Sequence, residues 1–169
     1  MTPHLIFDGY NLIYSPSFSR NYRKKDTSIQ ARREHLVQLI SSYLGGKKIR
    51  GTIVFDSPNH AVVAPVIGGS SKLRVVFASA NENADERIVK LALELKDRFA
   101  ITAVSSDEAH IGSFLRGCGI CVLKSEDFWQ RIFKGKQPSA PRVEEAKPTS
   151  LTKTELAYWE KIFSEKNKP

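Results

Sequence analysis

Asp8, Asp85 and Asp107 each stand where an apolar run gives way to a turn or where a helical pattern begins. Their contexts are Leu5-Ile6-Phe7-Asp8-Gly9-Tyr10-Asn11, Glu82-Asn83-Ala84-Asp85-Glu86 and Ser105-Ser106-Asp107-Glu108. In a parallel α/β sheet, strand ends and the helix starts that follow share one edge, where ligands and active sites sit. Carboxylates gathered there repel one another unless a cation neutralises them, and oxygen ligands suit Mg²⁺ or Mn²⁺. The chain around them is basic, with a net charge of +8 and a pI near 9.6. An acidic, metal-binding pit in a basic protein points to hydrolysis of a polyanion, and so to a nuclease.

Each acid also has a structural role open to it. Asp8-Gly9 is a common turn dipeptide, and Gly9 permits a close backbone approach. Asn11 can return an amide to the same pocket. Asp85 and Glu86 fall in a first helical turn, where the macrodipole favours carboxylates whatever the function. Glu86 can further close a capping box with Asn83. Asp107 is open to the same reading, and Asp56, after Thr52–Phe55, precedes the turn-forming Ser57-Pro58-Asn59. The joint pattern weighs more than any member, because successive strand-to-helix junctions each present an acid at one edge. Asp8, Asp85 and Asp107 are therefore the expected catalytic and metal-binding set, with Asn11, Glu86 and Asp56 as auxiliaries.

Short, non-alternating apolar runs supply the strands that must carry these acids: Leu5–Phe7, Thr52–Phe55, Leu73–Phe77, Ile101–Val104 and Ile120–Leu123. Such runs suit strands covered on both faces. Helical stripes alternate with them, which predicts a three-layer α/β domain with a mostly parallel sheet. Thr27 with Gln30 makes a capping box ahead of Ile29–Leu44, and Gly45-Gly46 stops that helix. Asn83 with Glu86 caps a second helix to about Arg98. Ser105 with Glu108 opens a third, ending near Gly117, and Ser125 caps a fourth, Glu126–Phe133. Residues 1–134 form the expected nuclease-like domain. Residues 135–150, with Pro138, Pro141 and Pro148, read as a linker. Residues 151–169 read as a helical extension that Thr152 and Glu155 cap, with Trp159 and Phe163 on its apolar stripe. Tyr14–Lys25 and Ser57–Lys72 read as loops.

The positive charge is concentrated early: residues 1–50 hold nine Lys/Arg against three Asp/Glu. Arg20, Arg23, Lys24, Lys25, Arg32 and Arg33 can track phosphates, with Tyr14, Phe18 and Tyr22 available to stack on unpaired bases. Lys72 and Arg74 form a second candidate patch. A mobile, solvated basic loop is the plainer alternative for such a run. No apolar run approaches the roughly 20 residues that span a bilayer. The N-terminus also lacks a basic-then-apolar leader pattern, so a cytoplasmic protein without membrane attachment is expected. Cys118 and Cys121 form a single CxxC without matching histidines, which favours two small core thiols over a zinc site.

The order DGYN (Asp8–Asn11), VFD (Val54–Asp56), NADERI (Asn83–Ile88) and SSDE (Ser105–Glu108) resembles the NYN branch of the PIN-like nucleases, closest to its YacP-type bacterial members. The resemblance covers about Leu5 to Phe133. One departure is Asn83, where the family usually has Thr; both residues cap helices, but a hydroxyl near the metal is lost. The resemblance implies a PIN-like fold and a Mg²⁺- or Mn²⁺-dependent phosphodiesterase site. In it Asp8 is the primary ligand, Asp85 and Asp107 complete the set, and Asn11 and Glu86 assist. It further implies an endoribonuclease that cuts mRNA in association with the ribosome. The expected chemistry is in-line attack of water on the phosphodiester, leaving 5′-phosphate and 3′-hydroxyl ends without a catalytic histidine.

Two rivals remain at this point. A non-catalytic RNA- or ribosome-binding module would keep the acids for folding alone. A phosphatase or phosphotransferase on a doubly wound sheet would carry a second Asp two residues after its nucleophile, and Tyr10 stands there instead. No GxGxxG or GxxxxGK[ST] motif supports a nucleotide-binding fold.

Overall fold

Asp8 is the last residue of the central strand of a five-stranded, all-parallel sheet with strand order β3-β2-β1-β4-β5. The computed structural model describes residues 1–56 and 71–134. The strands are β1 (Thr2–Asp8), β2 (Arg50–Phe55), β3 (Leu73–Phe77), β4 (Phe99–Val104) and β5 (Cys121–Leu123). The helices are α1 (Gly9–Ile13), α2 (Pro16–Asn21), α3 (Ile29–Gly45), α4 (Ala84–Leu95), α5 (Ser113–Gly117) and α6 (Ser125–Lys134), with a π-helical turn over Glu108–Gly112.

The strand order records the winding. The chain builds outward from β1 through β2 to β3, then crosses back to place β4 on the other side of β1. The reversal lies between β1 and β4, and in open α/β sheets the crevice at such a switch point is where ligands bind. Registers Phe7↔Val104 and Asp8↔Val54 bring the carboxyl ends of the three central strands level.

Alternation along β1 divides the core. Leu5 and Phe7 join Leu12, Phe18, Leu36, Ile40, Phe128 and Trp129 on one face, whereas Ile6 joins Ala84, Ile88, Leu91, Ile111 and Leu115 on the other. Helices α1, α2, α3 and α6 thus cover one layer, and α4 and α5 the opposite one. Cys118 and Cys121 are partly buried thiols that pack against these two opposite cores instead of lying within them.

Several local expectations change. Tyr14–Lys25 is not a continuous loop, because Pro16 starts α2 at a position where its missing N–H costs nothing. Phe18 is buried to 1% exposure in the core, and Tyr22 is half-buried against Phe18 and His35, so neither ring is free to stack on a base. Ser28 rather than Thr27 caps α3, its hydroxyl accepting from Ala31 N–H. Asp107, not Ser105, caps the π-helical turn. Ser125 lies inside α6 and donates its hydroxyl to Asn11 instead of capping. The Asn83–Glu86 capping box and the stop at Gly45-Gly46 form as expected. The linker at 135–150, the C-terminal helix and most of the Ser57–Lys72 loop lie outside the described residues.

Candidate active site

At the end of β1, Asp8 caps α1, and Asn11 N–H donates to its Oδ1 at 3.3 Å. Ser105 Oγ, at the end of β4, donates to Asp8 Oδ2 at 3.3 Å. Asp8 as a residue is 7% exposed. Burial raises its pKa to about 6, with the nearby charges of Asp85 and Asp56 adding to the rise and the bonds from Asn11 and Ser105 opposing it. Gly9 follows because nothing larger fits: a Cβ there would lie 2.3 Å from the Phe55 ring.

Asp85 enters from the opposite core layer, in the first turn of α4. That turn is anchored to β2, since Ala84 N–H donates to Asp56 Oδ1 at 2.6 Å. Asp56 therefore fixes where Asp85 sits, as well as adding charge beside it. Asp85 is half-buried, and its pKa is raised first by burial and then by Asp107 and Asp56. Among the described residues no lysine or arginine is ion-paired with Asp8 or Asp85.

Asp107 completes the row. Its Oδ1 accepts from His110 N–H at 3.1 Å, a bond that with the His110 ring holds its carboxyl below the usual range. His110 Nδ1 lies 3.1 Å from both carboxylate oxygens. Asp85, Asp107 and His110 each offer a donor atom within 4.8 Å of the others. Asp85 links the acids through charge, since it raises the Asp8 pKa and its own is raised by Asp107. Carboxylate oxygens with one imidazole are a donor set that fits a divalent ion such as Mn²⁺ or Mg²⁺.

Hydroxyl and amide groups hold the acids together. Ser105, 1% exposed, donates to Asp8 and accepts from Asp107 N–H at 3.1 Å, linking two acids of the row. Asn11 Oδ1 accepts from Ser106 N–H at 2.9 Å and from Ser125 Oγ at 2.5 Å. Asn11 is thus a staple between β1, the β4 exit and α6. Glu86 is exposed and turned into its capping box, with its Oε2 accepting from Asn83 N–H. It lines a neighbouring cleft with Asp56, Glu82 and Asn83 instead of facing Asp8.

Asp8, Asp56 and Asp85 open onto a cleft of about 530 Å³, lined also by Tyr10, Tyr14 and Glu126 among others. Two expected phosphate-binding residues reach its surroundings. Arg20 lies 3.8 Å from Glu126, and Arg33 donates to Tyr10 OH at 3.2 Å. Arg32 packs over the Tyr22 ring, while Arg23, Lys24 and Lys25 are exposed on the segment between α2 and α3. Lys72 precedes β3 at the sheet's amino edge, donating to Gly45 O and Lys47 O, and Arg74 lies exposed in the amino half of β3. These two do not adjoin the acidic cleft. His110, Ser105 and Glu126 escaped the sequence reading. Only His110 left a trace, its i,i+3 spacing from Asp107.

The model of the YacP-like NYN domain matches residues 5–167. The chain belongs to the YacP-like NYN domain family. Membership places it in a nuclease family concerned with RNA. No curated protein sequence matches it. Among solved structures, the NYN chain is similar to Rae1 (YacP) from Bacillus subtilis at 26% identity and a TM-score of 0.60, over 93% of this chain and 92% of that one. A tryptophan-to-leucine mutant of Rae1 (YacP) aligns at 28% identity and a TM-score of 0.60, over 78% of this chain and 74% of that one. The all-parallel sheet flanked by helices is the fold of these YacP structures.

Proposed function

We propose that this NYN protein is a cytoplasmic, divalent-cation-dependent endoribonuclease that hydrolyses phosphodiester bonds of mRNA in association with the ribosome. The observation that carries the reading is the row Asp8, Asp85 and Asp107 at the switch point, where burial first and neighbouring carboxylates second raise two of the three carboxyl pKa values. Crowding of this kind is unfavourable for folding and is found where a site holds a cation or performs acid–base work. Asp85, Asp107 and His110 would hold the ion, with Asp8 adjoining through Asp85. Once bound, a divalent ion neutralises charge on the phosphoryl oxygens and supplies a water of lowered pKa.

The chain's own residues account for the rest. Ser105 keeps the Asp8 carboxylate aimed into the cleft, and Asp56 sets the height of Asp85 by anchoring α4. Asn11 holds the β4 exit and α6 against β1, so the acids meet a substrate as a preformed array. Arg20 and Arg33 lie near enough to counter phosphates flanking the cut. The surplus of positive charge raises the local concentration of RNA without sequence preference. Messenger RNA on the ribosome is the substrate that the family resemblance suggests.

The test is incubation of labelled RNA and single-stranded DNA with Mg²⁺, Mn²⁺ or chelator, with and without ribosomes. Internal cleavage of RNA that chelator abolishes and Asp8→Asn removes is the expected outcome. Tight RNA binding unaffected by Asp8→Asn, with no cleavage under any of these conditions, would leave a binding module in its place.

A further inference from the structure

Four aromatic rings run across the carboxyl ends of β1, β2 and β3. Phe77 packs on Phe55 with centroids 5.6 Å apart, Phe55 on Tyr10 at 5.1 Å, and Tyr10 stacks on Tyr14 at 6.2 Å and 29°. Arg33 braces the row at two points, donating to Tyr10 OH at 3.2 Å and lying 5.9 Å from the Phe77 ring. The row begins in the core, where Phe55 is 1% exposed, and ends in solvent, where Tyr14 is 66% exposed. Among the described residues four large apolar side chains are exposed, Met1, Tyr14, Ile29 and Phe114. Tyr14 is the most exposed of them, and it lines the cleft that holds Asp8 and Asp85.

A single exposed tyrosine needs no explanation on its own. This one is backed by a second ring and held on rigid backbone. Tyr14 N–H bonds to Leu12 O and Tyr10 O at the end of α1, and the next residue, Ser15, is buried and donates its hydroxyl to Leu12 O. One face of Tyr14 meets Tyr10, which leaves the other to a partner. An aromatic side chain with two rotatable bonds, already fixed from behind, loses little entropy when a flat partner lands on it.

We infer that Tyr14 is a stacking platform for one unpaired base of the RNA whose phosphate lies at the acidic row. The assignment rests on the nuclease reading for the position of that phosphate, and it adds the group that selects the strand. A base inside a duplex has both faces covered by its neighbours and cannot use the ring. An unpaired base can, and stacking on an aromatic side chain is tolerant of sequence. Arg33 lies behind the same rings, placed to meet a neighbouring phosphate. The occupant is thus a single strand crossing the carboxyl ends of β1 and β2.

The test uses the full chain carrying Asp8→Asn, so that the RNA survives, with Mg²⁺ and a labelled eight-nucleotide RNA. Changing Tyr14→Ala weakens binding of the single strand by about tenfold, within the range for one aromatic–base contact. Tyr14→Phe keeps the affinity, and a duplex of the same sequence binds both proteins alike. Replacing one nucleotide of the RNA by an abasic residue produces the same loss against Tyr14 and no further loss against the Tyr14→Ala protein, the sign of a direct contact. Equal single-strand binding by Tyr14 and Tyr14→Ala proteins overturns the inference, and so does an equal loss on duplex. The two readings fail separately. Cleavage by the Asp8 protein without any dependence on Tyr14 sinks the platform alone, whereas Tyr14-dependent binding without cleavage sinks the nuclease and leaves the platform.

Discussion

The two ends of this sheet handle polar groups in opposite ways. At the amino end, His4 bonds through Nε2 to Thr52 Oγ1 at 2.9 Å, and Lys72 donates to two backbone carbonyls. Burial and the charges of Arg50 and Arg74 lower the His4 pKa to about 4, so the ring stays neutral at pH 7 and adds no cation to a basic region. At the carboxyl end, by contrast, Asp85 and Asp107 face each other with His110 as their basic neighbour, and Asp8 lies close enough for the Asp85 charge to raise its pKa. The amino end keeps its buried ring uncharged and pairs its Nε2 within the chain. The carboxyl end leaves charge unbalanced, which is the mark of a surface that completes itself with something external.

The largest blow to this contrast is struck at Asp8. Asp8→Asn can still accept from Asn11 N–H on its amide oxygen, while the amide nitrogen replacing Oδ2 can only donate to Ser105 Oγ, and the charge is removed. RNA cleavage by that variant should fall on the order of 10⁴-fold, the scale seen when one member of a catalytic unit is lost. Turnover within tenfold of the parent, from a folded variant, would reduce Asp8 to a turn residue.

A smaller effect is expected at His110. Imidazole adds a nitrogen donor that Mn²⁺ accepts more readily than Mg²⁺ does. His110→Ala should weaken Mn²⁺ binding by roughly 10–100-fold, measured by calorimetry, if the ring ligates or orients Asp107. The loss for Mg²⁺ should be smaller. An unchanged Mn²⁺ affinity would confine His110 to capping its own turn.

Stability against pH sharpens the contrast, because the two ends carry opposite signs. The folded pKa of Asp8 is raised from 3.8 to about 6, so the folded state holds its proton longer and metal-free stability falls as pH rises between those values. The folded pKa of His4 is lowered from 6.5 to about 4, so its contribution is present above 6.5 and is lost as pH falls towards 4. Asp8→Asn should therefore gain stability over the parent as pH rises from 4 to 6, by roughly 2–3 kcal/mol at the upper end. Excess Mn²⁺ above pH 6 should shrink the gap, since the parent alone gains from the ion. Denaturant melts at four pH values with and without Mn²⁺ decide it; a gap independent of pH would mean that neither burial nor neighbouring charge perturbs Asp8.

Much of this architecture could be read before any coordinates. Five apolar runs gave five strands, because strands covered on both faces must be continuously apolar. Asp8 and Asp85 were legible for a related reason: strand ends and first helical turns are fixed by pattern, and a parallel sheet puts both at one edge. His110 was not legible, since it joins the row through a π-helical turn whose geometry no short-range rule anticipates. Ser105 was misread as a cap because its hydroxyl serves a residue 97 positions away. Phe18 and Tyr22 looked like base-stacking rings for want of the helix start at Pro16, which turns Phe18 into the core. Local propensity places elements, and it does not say which of two aromatic neighbours, Tyr14 or Phe18, faces the water.

The smallest expected effect separates the cations of the two ends. Arg33 adjoins the cleft through Tyr10, whereas Arg74 lies in the amino half of β3 beside His4. Each phosphate contact adds close to one to the slope of log affinity against log salt. Arg33→Gln should therefore weaken binding of a short single-stranded RNA several-fold and lower that slope by about 0.7, the single-strand value for one contact. Arg74→Gln should leave both the affinity for the short RNA and its cleavage within about twofold, because phosphates beyond a Debye length of roughly 8 Å are screened from it. Equal slopes lost at both positions would mean that RNA wraps the outer strand, and that the amino end is as much a binding surface as the acidic cleft.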